Sequence, residues 1–162
     1  MGRTLRIAAL AVGLIAVAGI ALAKAAGAGK IVAFEVSKPR LELAKAVGAD
    51  YAYDPREVHA GEVLMELSGG AGFDFHVEAA GVPELTIPEM EEGLAINSKI
   101  VQIGRAAKRV PMYLESFQVR RAQAFASRRC VGTDVRSTTM NCSAGTLSSA
   151  SAAVVVCTIA WA

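Results

Sequence analysis

Histidine, cysteine and aromatic residues are all scarce in this chain, and each shortage closes a route to function. Only two histidines, His59 and His76, occur in 162 residues. The three cysteines, Cys130, Cys142 and Cys157, stand far from both. An odd count at wide spacing matches neither a zinc-ligand pattern nor a disulfide framework. Isolated histidines then read as surface or supporting residues, not as ligands. No G-x-S-x-G occurs, so a serine nucleophile elbow is excluded. Aromatics are 6% of the chain. The basic second half (Arg105, Lys108, Arg109, Arg120, Arg121, Arg128 and Arg129) has only Tyr113, Phe117 and Phe125 among those charges. Nucleic acid would want interleaved stacking side chains there and is set aside as a partner. Charge is scarce too, at 20% with a net +2 against 53% hydrophobic residues. That composition excludes a disordered chain and suits strands buried on both faces of a parallel sheet. The length gives one domain with a real core.

What is present is an alternation of short apolar runs and amphipathic stretches. "KIVAFE" (Lys30–Glu35) is a strand pattern ending in an acid, and "SKPRLELAKAVGA" (Ser37–Ala49) follows as a helix with Ser37 as N-cap and Gly48 as stop. "DYAYD" reads as a short strand, and "EVHAGEVLMELSGG" as another helix closed by glycine. The glycines Gly69, Gly70 and Gly72 follow that helix and make a connection, not a phosphate loop. "FDFHVEAAG" (Phe73–Gly81) is a strand with Phe73, Phe75 and Val77 on one face and Asp74, His76 and Glu78 on the other. "PELTIPEMEEGLA" (Pro83–Ala95) is helical, with Pro88 limiting where it can begin. "SKIVQIG" (Ser98–Gly104) and "RAQAFAS" (Arg121–Ser127) are the last regular strands. Strand and helix in turn predict an α/β fold, a doubly wound and mostly parallel sheet whose ligand lies at the strands' carboxyl ends. The domain is expected over residues 1–127. Residues 128–162, crowded with Ser, Thr, Ala and Cys, read as an irregular tail foreign to it. Its apolar run "AAVVVCTIAWA" could be a strand, a loose end or a sticky segment.

The opening "RIAALAVGLIAVAGIALAK" (Arg6–Lys24) admits two readings. Arg3 and Arg6 before an apolar run, with "ALA" beyond it, suit an export signal. The same residues suit a strand ("TLRIAAL"), a turn with Gly13 as the helix-packing glycine, and a helix ended by Gly27. An acid about twenty residues after such a turn accepts hydrogen bonds from a ribose, and Glu35 stands twenty-two after Gly13. The unbroken run of helix, strand, acid, helix and strand that follows favours the nucleotide fold. A cleaved signal would strip that sheet of its central strand and first helix.

At these residues the chain resembles the cofactor-binding domain of the medium-chain, zinc-type alcohol and polyol dehydrogenases. The likeness covers roughly Leu5 to Ser127 and is carried by "ALAKAAGAGKIVAFEVSKPRLELAKAVGADYAYDP", "GAGFDFHVEAAGVPE", "KIVQIGRA" and "FQVRRAQAFAS". The last two resemble the polyol and inosose branch. The resemblance implies an incomplete Rossmann fold, truncated at both ends, that binds NAD. Glu35 would hold the ribose hydroxyls and repel the 2′-phosphate of NADP. Arg40 would lie beside the adenine or ribose edge, and the loops Ala80, Gly81, Val82 and Gly104, Arg105, Ala106 would line the cleft. Aligned back from Gly13, the glycine turn reads Ala8, Leu10, Gly13, and Leu10 fills space that the pyrophosphate needs, so the expected affinity is weak or vestigial. Zinc is implied only for full-length relatives, whose ligands come from a domain preceding this one. The chain by itself is expected to be inactive, with a separate catalytic domain or a homo-oligomer as its other partner. The reading is cytoplasmic, and its alternative is a non-enzymatic exported or membrane-associated protein. Cell fractionation separates the two: the nucleotide fold requires an uncleaved chain in the cytosol, and an exported product starting near Lys24 reverses that.

Overall fold

The computed structural model describes residues 16–105 and 108–126, together with the backbone of 153–158. A helix over residues 16–25 (α1) leads to β1 (Lys30–Glu35), α2 (Lys38–Ala46) and β2 (Tyr51–Tyr53). Then come α3 (Ala60–Leu67), β3 (Phe73–Glu78), α4 (Pro83–Glu92), β4 (Leu94–Gln102), α5 (Leu114–Arg120), β5 (Gln123–Ala126) and β6 (Ala153–Thr158). The six strands form one sheet in the order β2-β1-β6-β3-β4-β5, and every pairing is parallel. From β1 the chain winds outward to β2, then crosses back to β3 and winds the other way through β4 and β5. That reversal puts the topological switch point between β1 and β3, where β6 lies.

Alternation along β1 divides the core. Ile31 and Ala33 face one layer, packed with Ala16 and Ile20 of α1 and with Ala44 and Ala49. Val32 and Phe34 face the other, with Leu64 of α3, Ile87 and Met90 of α4, Phe73, Leu94 and Ile100. Burying a side chain such as Phe34 or Leu64 contributes about 1.5–3 kcal/mol, so these two layers supply most of the stabilisation. Asp50 ties the first layer at its edge: its carboxylate accepts the Ile31 N–H at 2.8 Å and pairs with Lys24 at 3.0 Å. The "GAD" turn thus joins α1, β1 and β2.

Several elements differ from their sequence pattern. Ser37 occupies the N-cap of α2, but its side chain makes no capping bond. Leu43 of that helix, although apolar, is 45% exposed. Pro88 lies inside α4 and does not set its start. The missing N–H costs one backbone bond, and the burial of Pro83, Thr86, Ile87 and Met90 against the sheet offsets it. β4 begins at Leu94 because Phe73 pairs with Leu94, and the register then shifts before Phe75 meets Lys99. The apolar run near residue 155 is a strand, flanked on both sides by parallel neighbours: Ile31↔Val154 on one edge and Phe75↔Val154 on the other. The expected strand at "TLRIAAL" lies outside the described residues. Among the described residues, no helix is long and apolar enough to cross a membrane.

Of the two roles open to the isolated histidines, surface or supporting, His76 does not take the surface one. It is fully buried on β3, with Nε2 3.0 Å from the Phe73 carbonyl oxygen. Desolvation holds its pKa down at about 4, below the usual 6.5, so the ring is neutral in the fold. Between those two values the unfolded chain binds the proton and the folded chain does not. Stability therefore falls as pH drops through that window, by about 3 kcal/mol. A His76→Met variant should lack this component, so urea unfolding of the two proteins should diverge between pH 6.5 and 4. A constant difference across that range would mean the imidazole protonates as freely as in water.

Candidate functional site

β1 delivers Glu35 to the carboxyl end of the sheet at the switch point. Glu35 is only 3% exposed there. One carboxylate oxygen, Oε1, accepts the Ser37 N–H at 2.9 Å as the chain turns into α2. The other, Oε2, has Arg40 Nε at 3.6 Å and makes no hydrogen bond. Burial pushes the Glu35 carboxyl up from its usual range, and Asp54 adds to the rise, while the Ser37 and Val36 amides and the Arg40 charge oppose it. A buried acceptor with a free lone-pair face and a cation beside it is suited to a ligand hydroxyl. Next to it, Arg56 fastens the loop: it donates to the Val36 carbonyl at 2.9 Å and to the Asp54 carboxylate. That pairing, hydrogen bonds first, lowers the Asp54 pKa to about 2.

On the far side of β6, β3 and β4 end side by side. The loops after them meet closely. Gly81 takes φ +77°, a conformation that other residues adopt at a cost. A Cβ placed on Gly104 would come within 2.4 Å of the Gly81 nitrogen. Ala80 and Val82 are buried and Arg105 is exposed. The structure therefore sets the 80–82 turn directly against Gly104 and Arg105 in one wall. Ala106 and the Gly13 turn, with Ala8 and Leu10, lie outside the described residues. Glu35 pairs with Thr158 of β6, and Glu78 with Cys157, so the two carboxyl-bearing ends are nearly level. Two strand spacings separate them, about 10 Å.

Glu78 was not singled out by its sequence pattern, where it is one of three polar residues on a strand face. In the fold it is fully buried at the root of this wall. A polar residue at the last position of a strand, just before "AAG", is the signal that was available. Among the described residues, no group of three His, Cys, Asp or Glu side chains could hold a metal ion. The donor set for zinc therefore does not fit this part of the chain.

Comparison with known proteins matches residues 11–148 to the family model described as zinc-binding dehydrogenase. The chain is 38% identical over 120 residues to scyllo-inosose 3-dehydrogenase of Thermotoga maritima, covering 72% of this chain and 30% of that protein. It is 42% identical over 76 residues to L-threonine 3-dehydrogenase of Pyrococcus horikoshii, covering 47% of this chain and 21% of that one. Among solved structures, an alcohol dehydrogenase from Thermotoga maritima aligns with a TM-score of 0.61 at 26% identity, over 68% of this chain and 32% of that one. The chain thus spans about 30% of the length of the scyllo-inosose relative.

The charge balance at Glu35 has a direct test. A raised carboxyl pKa means that stability from this group is fully present below 4.5 and is lost as pH rises through the folded value. Removing the guanidinium with Arg40→Ala should push the Glu35 carboxyl further up, read from the carbon-13 titration of its side chain. A midpoint that stays put or falls would place the Arg40 charge out of reach of Glu35.

Proposed function

The chain belongs to the zinc-binding dehydrogenases, and from that membership we propose that its described part holds the nicotinamide dinucleotide of an enzyme oxidising alcohols or polyols. The carrying observation is the Glu35 carboxylate, buried at the switch point with Oε2 left without a hydrogen bond. Adjacent ribose hydroxyls would donate to it, and Arg40 would flank the adenine edge. The same carboxylate favours NAD over NADP, because a 2′-phosphate there would meet a buried negative charge. When bound, the nicotinamide supplies the hydride acceptor of the reaction. The loops at 80–82 and 104–105 keep water from the cleft and orient the dinucleotide with their backbone.

The substrate class favoured by likeness to the Thermotoga maritima relative is a polyol or its ketone. Catalysis would need zinc ligands from a separate catalytic domain, and this part alone would not turn over. A cytoplasmic location accompanies the reading. Cleavage near Lys24 would remove most of α1, whose Ala16 and Ile20 cover Ile31 and Ala33 of the sheet.

Calorimetric titration with NAD and NADP tests the assignment. Weak NAD binding is expected, with NADP weaker by roughly tenfold or more. Glu35→Ala should cost NAD about 1.5–3 kcal/mol, the value of hydrogen bonds to a charged group. Equal affinities for the two cofactors, or no heat with millimolar NAD, would remove the role.

A further inference from the structure

Glu78 is the most deeply placed acid of the described chain, and nothing in the proposed chemistry uses it. Its side chain is fully buried at the carboxyl end of β3. Oε1 accepts the Gly81 N–H at 2.8 Å. Its backbone carbonyl accepts two more amides, from Ile103 at 2.7 Å and from Gly104 at 3.0 Å. One residue thus bonds to both loops of the wall, by its side chain to one and by its main chain to the other. Oε2 has no hydrogen-bond partner and points at Gly104, where an added Cβ would stand 2.5 Å from it.

A buried carboxyl in this position needs a reason, because an apolar residue would avoid the desolvation cost. Its neighbours supply one. The turn over 79–82 leads straight into α4, whose first amides have no partner within the helix. The Gly81, Ala80 and Val82 amides all favour the charged form of Glu78, although burial and Glu84 outweigh them and raise its pKa. The place at the head of α4 that could take an anion is thus filled by the chain's own carboxyl. Alanine or valine would leave the Gly81 amide unbonded and the two loops free to part.

We propose that the Glu78 carboxyl is a positioning group that fastens the 79–82 turn against the 103–105 loop, so that both present their backbone to the dinucleotide as one rigid wall. Its bearing on affinity rests on the nucleotide reading above. The fastening itself does not.

The experiment is amide hydrogen exchange on the full chain, followed by NAD titration, for Glu78→Ala, Glu78→Gln and Gly104→Ala. In Glu78→Ala, exchange at Gly81 and Gly104 should rise roughly tenfold or more, as for one lost hydrogen bond to a charged group, while β1 keeps its protection. Glu78→Gln retains a carbonyl acceptor for Gly81 and should restore most of that protection. Gly104→Ala reaches the same junction with Glu78 intact, and should also release Gly81 should Glu78→Ala fail to fold. NAD affinity should fall in step with Gly81 protection. Unchanged exchange at Gly81 in the folded variants overturns the proposal. So does a rise spread evenly over the sheet that Gln does not rescue, since that marks a general folding residue. Local release of Gly81 with no NAD binding by any form, wild type included, upholds the fastening and removes the nucleotide reading alone.

Discussion

Between β1 and β3 lies a gap one strand wide, and a parallel sheet cannot leave such a gap unfilled. Two rows of backbone amides and carbonyls would face each other there without partners, at the centre of the molecule and away from water. β6 closes it, pairing with β1 from Lys30 to Glu35 and with β3 from Phe75 to Glu78. The remaining features depend on that closure. It sets the distance between Glu35 and the loops after β3 and β4. It also holds the two halves of the sheet in one plane, so that both helix layers can pack across it.

Much of the architecture was legible because the signals were local. "KIVAFE" has β-branched and aromatic residues in a short run, and Gly27 and Gly48 follow the helices they end. Within the candidate site, the placement of Glu35, Gly81 and Gly104 was legible, because each follows from its position at or just beyond a strand end. What was missed depended on tertiary terms. Helix α5 has no buried residue and no side-chain cap, so nothing in its seven residues marks it as helical before Phe117 meets the core. Pro88 is tolerated because of what α4 packs against, which its own sequence does not state. The register shift between Phe73 and Phe75 lets β4 start four residues earlier than its apolar run suggests. Residues 153–158 carry a strand pattern, yet their partners are more than 70 positions away. No window of local sequence contains that information.

The electrostatics of the crevice rest on two buried carboxyls with different duties. Glu35 has the α2 layer beside it and keeps one oxygen free, with Arg40 near enough to favour charge. Glu78 aligns with Phe34 across β6 and so shares the opposite face, where its bonds stay within the chain. Burial raises both, so each ionises less readily than an exposed glutamate. Each accepts one backbone amide through Oε1 and leaves Oε2 without a hydrogen bond. Beside that oxygen Glu35 has the Arg40 guanidinium, and Glu78 has Gly104.

The position of β6 in the chain carries a consequence for biosynthesis. The other strands are made first, β1 and β2 early and then β3, β4 and β5, with the 26 residues between Ala126 and Ala153 still to come. Before residues 153–158 are made, the facing borders of β1 and β3 lack the pairing that β6 gives them, and unpaired strand borders are templates for stray pairing. The central pairing of the sheet therefore waits on residues 153–158, whatever has formed before them.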